Sequence, residues 1–254
     1  MMNTNLSLKN KTVLITGATG GIGEAIASLM GSAGATLFIN GTNEEKLTRL
    51  SERLKDQGVV HHFKALNLTE SGAAQTLVDD CVQKMERIDV LVNCAGINRP
   101  QPAEEVSEEN WDAVHGINLK ALFFICQAAG RQMIERRSGK IINISSQTGT
   151  VAIPLRAAYC SSKAGVDQLT RVLALEWSKY NINVNAVAPT FVETPLTKKM
   201  FDDAEFKKYV LDSIPLGRMA NPEEIAYPVL FLATEYAAMI TGHVLLVDGG
   251  WTIK

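Results

Sequence analysis

The sequence predicts an α/β domain of the doubly wound type: a mostly parallel, seven-stranded sheet with helices on both faces. Three observations predict it. Short β-branched runs alternate with helical apolar periods from end to end. A cluster of glycines lies between the first strand and the first helix. No Pro/Gly/Ser-rich linker, charge block or solenoid-type repeat divides the 254 residues, so 1–254 reads as one domain. Repeated strand–helix–strand units imply right-handed crossovers and a parallel sheet covered on both sides.

Residues 12–16 are a β-branched run, and the helix after them carries an apolar period through Ile22, Ile26, Leu29 and Met30. Residues 35–39 form a second strand, followed by a charged helix over 43–56. A third strand spans 59–66, and a helix over 70–86 leads to a fourth strand at 88–92. The helix over 107–135 is long, and Gly116 is expected to break it, because glycine weakens a helix interior. Strand five covers 140–145, and a helix over 157–180 feeds strand six at 182–188. The segment 190–221, which holds Pro195 and Pro215, reads as irregular. Pro222 suits the first position of a short helix, and 244–247 is a last strand.

Composition excludes several function classes. Hydrophobic residues make up 46% and charged residues 20%, which is ordinary globular composition. A net charge of -2 provides no basic field for nucleic acid or anionic lipid. The longest apolar runs, at 121–126 and 244–247, fall far short of the ~20 residues that span a bilayer. The first ten residues hold no apolar signal-peptide core, so a cytoplasmic protein is expected. Cys81, Cys94, Cys126 and Cys160 are scattered with no C-x-x-C pair, as packed, reduced thiols would be. The four histidines show no ligand spacing, and no metal is expected.

The glycines run Thr16-Gly17-Ala18-Thr19-Gly20-Gly21-Ile22-Gly23. Strand, glycine turn and helix follow in the order that a Rossmann-type dinucleotide site requires. Glycine lets the chain turn sharply beside a pyrophosphate, and a helix N-terminus supplies free N–H groups and a positive dipole. A simple tight turn remains the competing explanation for the glycines alone. Tyr159 and Lys163 stand four apart in a helical period, one turn apart on one face. Ser145 and Ser146 end strand five at the carboxyl edge, where such sheets bind ligands, and Asn93-Cys94-Ala95-Gly96 closes strand four there. Reducing a ketone needs a proton at oxygen as hydride reaches carbon. A phenol with a pKa of about 10 is a poor shuttle near neutrality, and a nearby ammonium can lower it.

With these motifs the chain resembles the classical short-chain dehydrogenase/reductase family over essentially its whole length. Thr16-Gly17-x-x-x-Gly21-Ile22-Gly23, Asn93-x-Ala95-Gly96, Asn118, Ser146, Tyr159-x-x-x-Lys163, and Pro189 with Thr194 carry the resemblance. It implies an NAD(P)(H)-dependent oxidoreductase that interconverts a secondary alcohol and a ketone. Tyr159 would be the acid/base and Ser146 the partner of the substrate oxygen. Lys163 would serve the nicotinamide ribose and Tyr159, and Asn118 would hold a water linking Lys163 to solvent. Ser146, thirteen residues before Tyr159, fits the family spacing better than Ser145. The dinucleotide would be lined by Gly17, Thr19, Gly20, Gly21, Ile22 and Gly23, then Gly41, Thr42, Asn43, Asn67 and Leu68. Asn93, Ala95, Gly96, Tyr159, Lys163, Pro189, Thr190, Val192 and Thr194 complete that set, with Thr190 also facing substrate.

The chain departs from the family pattern after strand two, in Asn40-Gly41-Thr42-Asn43. NAD-preferring relatives usually have an acid at the position of Gly41. NADP-preferring relatives often have arginine at the position of Thr42 or a basic residue at that of Gly20. Gly41 leaves room for a 2′-phosphate, so the reading leans to NADP(H), with NAD(H) open. Asn67 replaces a usual aspartate, and Thr190 a usual glycine, as in many relatives acting on sugars and polyols. The expected substrate is a polyol, sugar acid or related small hydroxy/keto compound. A 3-oxoacyl-acyl-carrier-protein reductase is the alternative. Arg137 matches one carrier-gripping arginine, but Tyr180, beside Lys179, stands at the other. A non-enzymatic dinucleotide sensor is a third reading, which the full Asn118, Ser146, Tyr159 and Lys163 set disfavours. Phe191, Leu196, Met200, Phe201 and Phe206 suggest an apolar lid over about 190–215. The apolar helices 107–135 and 157–180 and the terminal Trp251 point to a homotetramer.

Overall fold

A computed structural model describes residues 6–194, 197–198 and 201–253. The seven strands are β1 (Thr12–Thr16), β2 (Thr36–Gly41), β3 (His61–Ala65), β4 (Val90–Asn93), β5 (Gly139–Ile144), β6 (Ile182–Pro189) and β7 (Val244–Val247). They form one sheet in the order β3-β2-β1-β4-β5-β6-β7, and every pairing is parallel. Thr16 pairs with Asn93, Asn93 with Asn143, and Pro189 with Val247, so the carboxyl ends of the central strands finish together. The strand order reverses between β1 and β4, which opens a crevice at that edge.

Period-two alternation sends successive side chains to opposite faces. Val13, Ile15, Leu37, Ile39, Val90 and Val92 enter one apolar layer, while Leu14, Phe38 and Leu91 enter the other. The first layer is closed by helices α1 (Gly21–Ser32), α2 (Glu44–Asp56) and α8 (Pro222–Ala233) through Ile26, Met30, Leu50 and Val229. The second is closed by α3 (Ala73–Met85), α5 (Leu122–Arg136) and α6 (Ala157–Trp177) through Leu77, Ile125 and Leu173. Pro222 takes the first turn of α8, where Asn221 and Glu224 form a capping box.

Two expectations are corrected. Gly116 does not break its helix. Helix α4 (Glu108–His115) passes through a π turn at Gly116–Ala121 into α5. Gly116 stays helical at φ −55°, and the chain continues through the wide turn without leaving helical conformation. The segment 190–221 is not wholly irregular, because Ala204–Ser213 forms α7. Asp203 caps it, accepting from the N–H groups of Glu205 and Phe206 at 3.0 and 3.1 Å. The flanking prolines masked this start signal. Val210 of α7 packs with Ile153, Ile214 and Trp251, and Phe191, Phe201 and Phe206 lie against them. The expected lid residues Leu196 and Met200, and Pro195, lie outside the described residues.

Candidate active site

The floor of the site is built where β1 and β4 end. Thr16 Oγ1 accepts from the N–H groups of Cys94 and Ala95 at 3.3 and 3.4 Å, which ties the two strand ends together. Gly17 follows at φ +64°, and a Cβ there would lie 2.6 Å from the Ala95 backbone. A Cβ on Gly23 would lie 2.3 Å from the Gly17 carbonyl oxygen. Glycine at both places lets the turn, the β4 loop and the start of α1 pack backbone to backbone. Gly20 lies in more open space, with only the Gly17 carbonyl near its Cβ position. Gly21 faces the Thr194 methyl, so the loop after β6 meets the glycine turn. Thr194 is held by Thr197, whose hydroxyl accepts from its N–H at 2.9 Å. Ile22 packs against the first apolar layer, and buried Val192 bridges to Ala220. This is a cradle that excludes side chains in front of a helix N-terminus, and it fits a dinucleotide pyrophosphate.

At the far end of the crevice, Gly41 faces Thr19, whose hydroxyl lies 2.9 Å from its Cβ position. Thr42 is exposed. Asn43 caps α2, its Oδ1 accepting from Lys46 N–H at 2.8 Å. Asn67 Oδ1 accepts from the Thr69 N–H and hydroxyl at 3.2 and 2.9 Å, and Leu68 is buried beside it. Asn93 stands apart from the others. It lies beneath the floor, donating to Cys126 Sγ at 3.1 Å and Asn143 Oδ1 at 3.0 Å.

Tyr159 and Lys163 share one face of α6, as the spacing predicts, and the ammonium lies 5.7 Å from the phenol ring centroid. Lys163 Nζ donates to the Ile144 carbonyl at 2.8 Å. It also lies beside Gly96, 3.7 Å from that residue's Cβ position. Burial lowers its pKa to about 8. Burial also pushes the Tyr159 phenol up, against a hydrogen bond from Ser146 and the positive field of Arg156. Arg156 adds a positive field at the phenol, beside the Lys163 ammonium. Ser146 is the serine that meets Tyr159, while the rival Ser145 donates to Asp167 Oδ1 at 2.5 Å. Asn118, in the π turn, accepts from Ile97 N–H at 2.8 Å and donates to Ile97 O at 2.9 Å and Ser162 Oγ at 3.0 Å. Pro189 ends β6. Next to it, Thr190 donates its N–H to Val247 O at 3.1 Å, and its buried hydroxyl has no partner among the described residues.

Sequence reasoning missed three residues that lie around this cluster. Asp167 lies one turn beyond Lys163, and that spacing could have revealed it. Gln147 follows Ser146, and its buried amide atoms have no partner among the described residues. Arg156, one turn before Tyr159, is buried, which no local pattern announced. Among the described residues no group of acids, histidines or cysteines could hold a metal ion.

Comparisons with known proteins identify the family. A family profile described as Enoyl-(Acyl carrier protein) reductase covers residues 17–252. The chain is 42% identical to D-threitol dehydrogenase of Mycolicibacterium smegmatis over 97% of its length and 95% of the relative's. It is also 42% identical to a 3-oxoacyl-acyl-carrier-protein reductase of Thermotoga maritima, over 98% of this chain and 100% of that one. The crystal structure of a gluconate 5-dehydrogenase from Burkholderia cenocepacia, in complex with NADP and tartrate, superimposes with a TM-score of 0.94. It shares 35% identity, and the match covers 98% of both chains. The chain belongs to the classical short-chain dehydrogenase/reductase family and is a nicotinamide-dinucleotide-dependent oxidoreductase acting between alcohol and carbonyl groups.

Proposed function

We propose that the Ser146–Tyr159–Lys163 cluster interconverts a secondary alcohol and a ketone on a small polyhydroxylated substrate. A dinucleotide held by the glycine cradle and Lys163 would supply or accept the hydride. Tyr159 supplies the proton to the nascent alkoxide, or removes it in the reverse direction. Ser146 holds the substrate oxygen against Tyr159, and Lys163 supports the phenolate and the ribose. Asn118 keeps the β4 loop closed against α6, a fixed wall on which a water linking Lys163 to solvent can sit. Gly17, Gly21, Gly23 and Thr194 form the pyrophosphate cradle. Gly41 and Thr42, with no acid between them, suit the 2′-phosphate of NADP(H), and a structural neighbour is a complex with NADP. The segment over about 190–221 covers the substrate within the single domain 1–254.

The observation that carries the substrate class is a set of buried polar atoms, next to Ser146 and after β6, that have no partner among the described residues. They are both amide atoms of Gln147 and the hydroxyls of Thr148 and Thr190. Buried polar groups are normally hydrogen-bonded, so this set calls for a ligand rich in hydroxyls. An acyl-carrier substrate fits less well. Arg137 is committed to the Lys179 carbonyl at 2.8 Å and to the Tyr180 ring, rather than free to grip an acidic carrier. Tyr159→Phe tests the site. Turnover of a ketose by the dinucleotide-loaded enzyme, followed at the nicotinamide absorbance, should fall by roughly two to four decades with dinucleotide affinity nearly unchanged. Turnover close to wild type would remove Tyr159 from the chemistry.

The same reading includes a homotetramer in the cytoplasm. Phe124 of α5 and Leu175 of α6 are 44% and 81% exposed, and Leu119, Phe123, Phe124 and Leu169 line a surface groove of about 1620 Å³. Apolar helix faces of this kind favour a second copy. Trp251 does not contribute, because it is buried against Phe191 and Tyr209. Cys81, Cys94 and Cys126 are free thiols pushed up to about 12 by burial, which suits inert packing in a reducing compartment.

A further inference from the structure

Arg156 is a buried cation with no anion. It is 6% exposed, and it forms no ion pair with a carboxylate among the described residues. Among the described residues its one hydrogen bond runs from Nη1 to the Pro154 carbonyl at 3.0 Å. The guanidinium lies 5.3 Å from the Phe206 ring centroid, beneath α7. The titratable groups that act most on Arg156 are Cys160, Tyr159 and Tyr209, and none of them is a carboxylate. A guanidinium has five N–H donors in a planar fork that matches a carboxylate, and burying it unpaired is costly. Surface arginines have water to satisfy them, and Arg156 has almost none. It stands one helical turn from Tyr159, between that residue and the aromatic lid, with its field acting on the phenol.

We propose that Arg156 binds an acidic group of the substrate and makes this enzyme selective for carboxylate-bearing hydroxy or keto compounds over neutral polyols. The proposal rests on the assignment of Ser146 and Tyr159 as the reacting site and narrows its substrate class. One cation balances one carboxylate. A dianionic phosphate would call for a second cation beside it, and no other cation is among the groups that act on Arg156. The unpartnered Gln147 amide can hold the hydroxyls of a chain that carries its carboxylate to Arg156 while its carbonyl meets Tyr159.

The test uses carbon-matched substrate pairs that differ in a carboxylate against a hydroxymethyl group: 5-keto-D-gluconate with L-sorbose, and hydroxypyruvate with dihydroxyacetone. Wild-type enzyme should use the acid of at least one pair with the higher kcat/KM. In Arg156→Met that acid should lose between about thirtyfold and a thousandfold, mostly in KM, because one partner of a buried charge pair has been removed. The neutral partner should lose at least about tenfold less than the acid, because the field of Arg156 on Tyr159 is shared by both substrates whereas the carboxylate contact is not. Arg156→Lys, which keeps the charge without the fork, should fall between the two. Arg156→Gln serves if Arg156→Met does not fold. Equal losses on acid and neutral substrate would make Arg156 a structural support of the lid and overturn the proposal. So would a wild-type preference for the neutral partner in both pairs, or a preference for D-fructose 6-phosphate over every acid. Tyr159→Phe on the same pairs separates the two levels. Retained turnover refutes the reacting site, whereas lost turnover without an acid-specific loss in the Arg156 variants refutes only the Arg156 assignment.

Discussion

Replacing Lys163 by methionine should make the dinucleotide-free protein more stable while destroying its activity. The ammonium is 4% exposed, and burial takes its pKa from 10.5 to about 8. At 1.36 kcal/mol per tenfold change, that burial costs the native state about 3 kcal/mol at pH 7. Methionine has a similar length and no charge. It forfeits the bond from Nζ to the Ile144 carbonyl, a loss of about 1–2 kcal/mol. The net gain is about 1–2 kcal/mol, or roughly 2–8 °C in Tm for a chain of this size. The sign follows from proton binding. Between pH 8 and 10.5 the unfolded wild type holds a proton that the native state has released, so wild-type stability rises with pH in that window. The advantage of the variant is therefore full below pH 8, and the wild type overtakes it before pH 10.5. Urea denaturation of both proteins at several pH values between 7 and 10.5 measures it. A variant less stable than wild type at pH 7, or an advantage that stays flat across this range, would refute the reasoning.

Two further predictions concern the cofactor and the assembly. Gly41→Asp should shift the kcat/KM ratio toward NAD(H) by roughly tenfold or more, since a carboxylate would meet the 2′-phosphate. Its Cβ lies 2.9 Å from the Thr19 hydroxyl, which can rotate away. A ratio that stays fixed would show that Gly41 does not face the ribose. Light scattering should give four subunits for the wild type at micromolar concentration. A Phe124→Glu, Leu175→Glu double variant should release smaller species, and a monomeric wild type would end the assembly reading.

The fold was legible because its signals are local and repeated. Alternation within the strands and the apolar period of the helices survive in any short window. The Tyr159–Lys163 pair was legible for the same reason, since one helical turn places both on one face. The sequence could not show that Gly116 sits in a continuous helix. The carboxamide of Asn118 holds the widened turn from outside, through Ile97, twenty-one residues away. Helix α7 was hidden because the prolines beside it outweighed a single aspartate cap. Arg156 was unreadable for a different reason. A charged residue three before Tyr159 would be solvated on an open helix, and it becomes conspicuous only once Phe206 and the lid close over it.

The Asn118 carboxamide treats the Ile97 peptide as a neighbouring strand would, accepting from its N–H and donating to its C=O. In effect the sheet borrows one rung from a helix and continues past the last residue of β4. The chemical alphabet for that rung is narrow. Aspartate keeps the acceptor but turns a second oxygen against the Ile97 carbonyl. Leucine fills the space and leaves both peptide groups unpaired. Glutamine carries the right atoms on an arm one methylene too long. The position can therefore tolerate almost no chemical drift, even though its side chain never touches the reacting carbon. A substitution there would first surface as a loosened β4 loop, seen as faster amide exchange at Ile97.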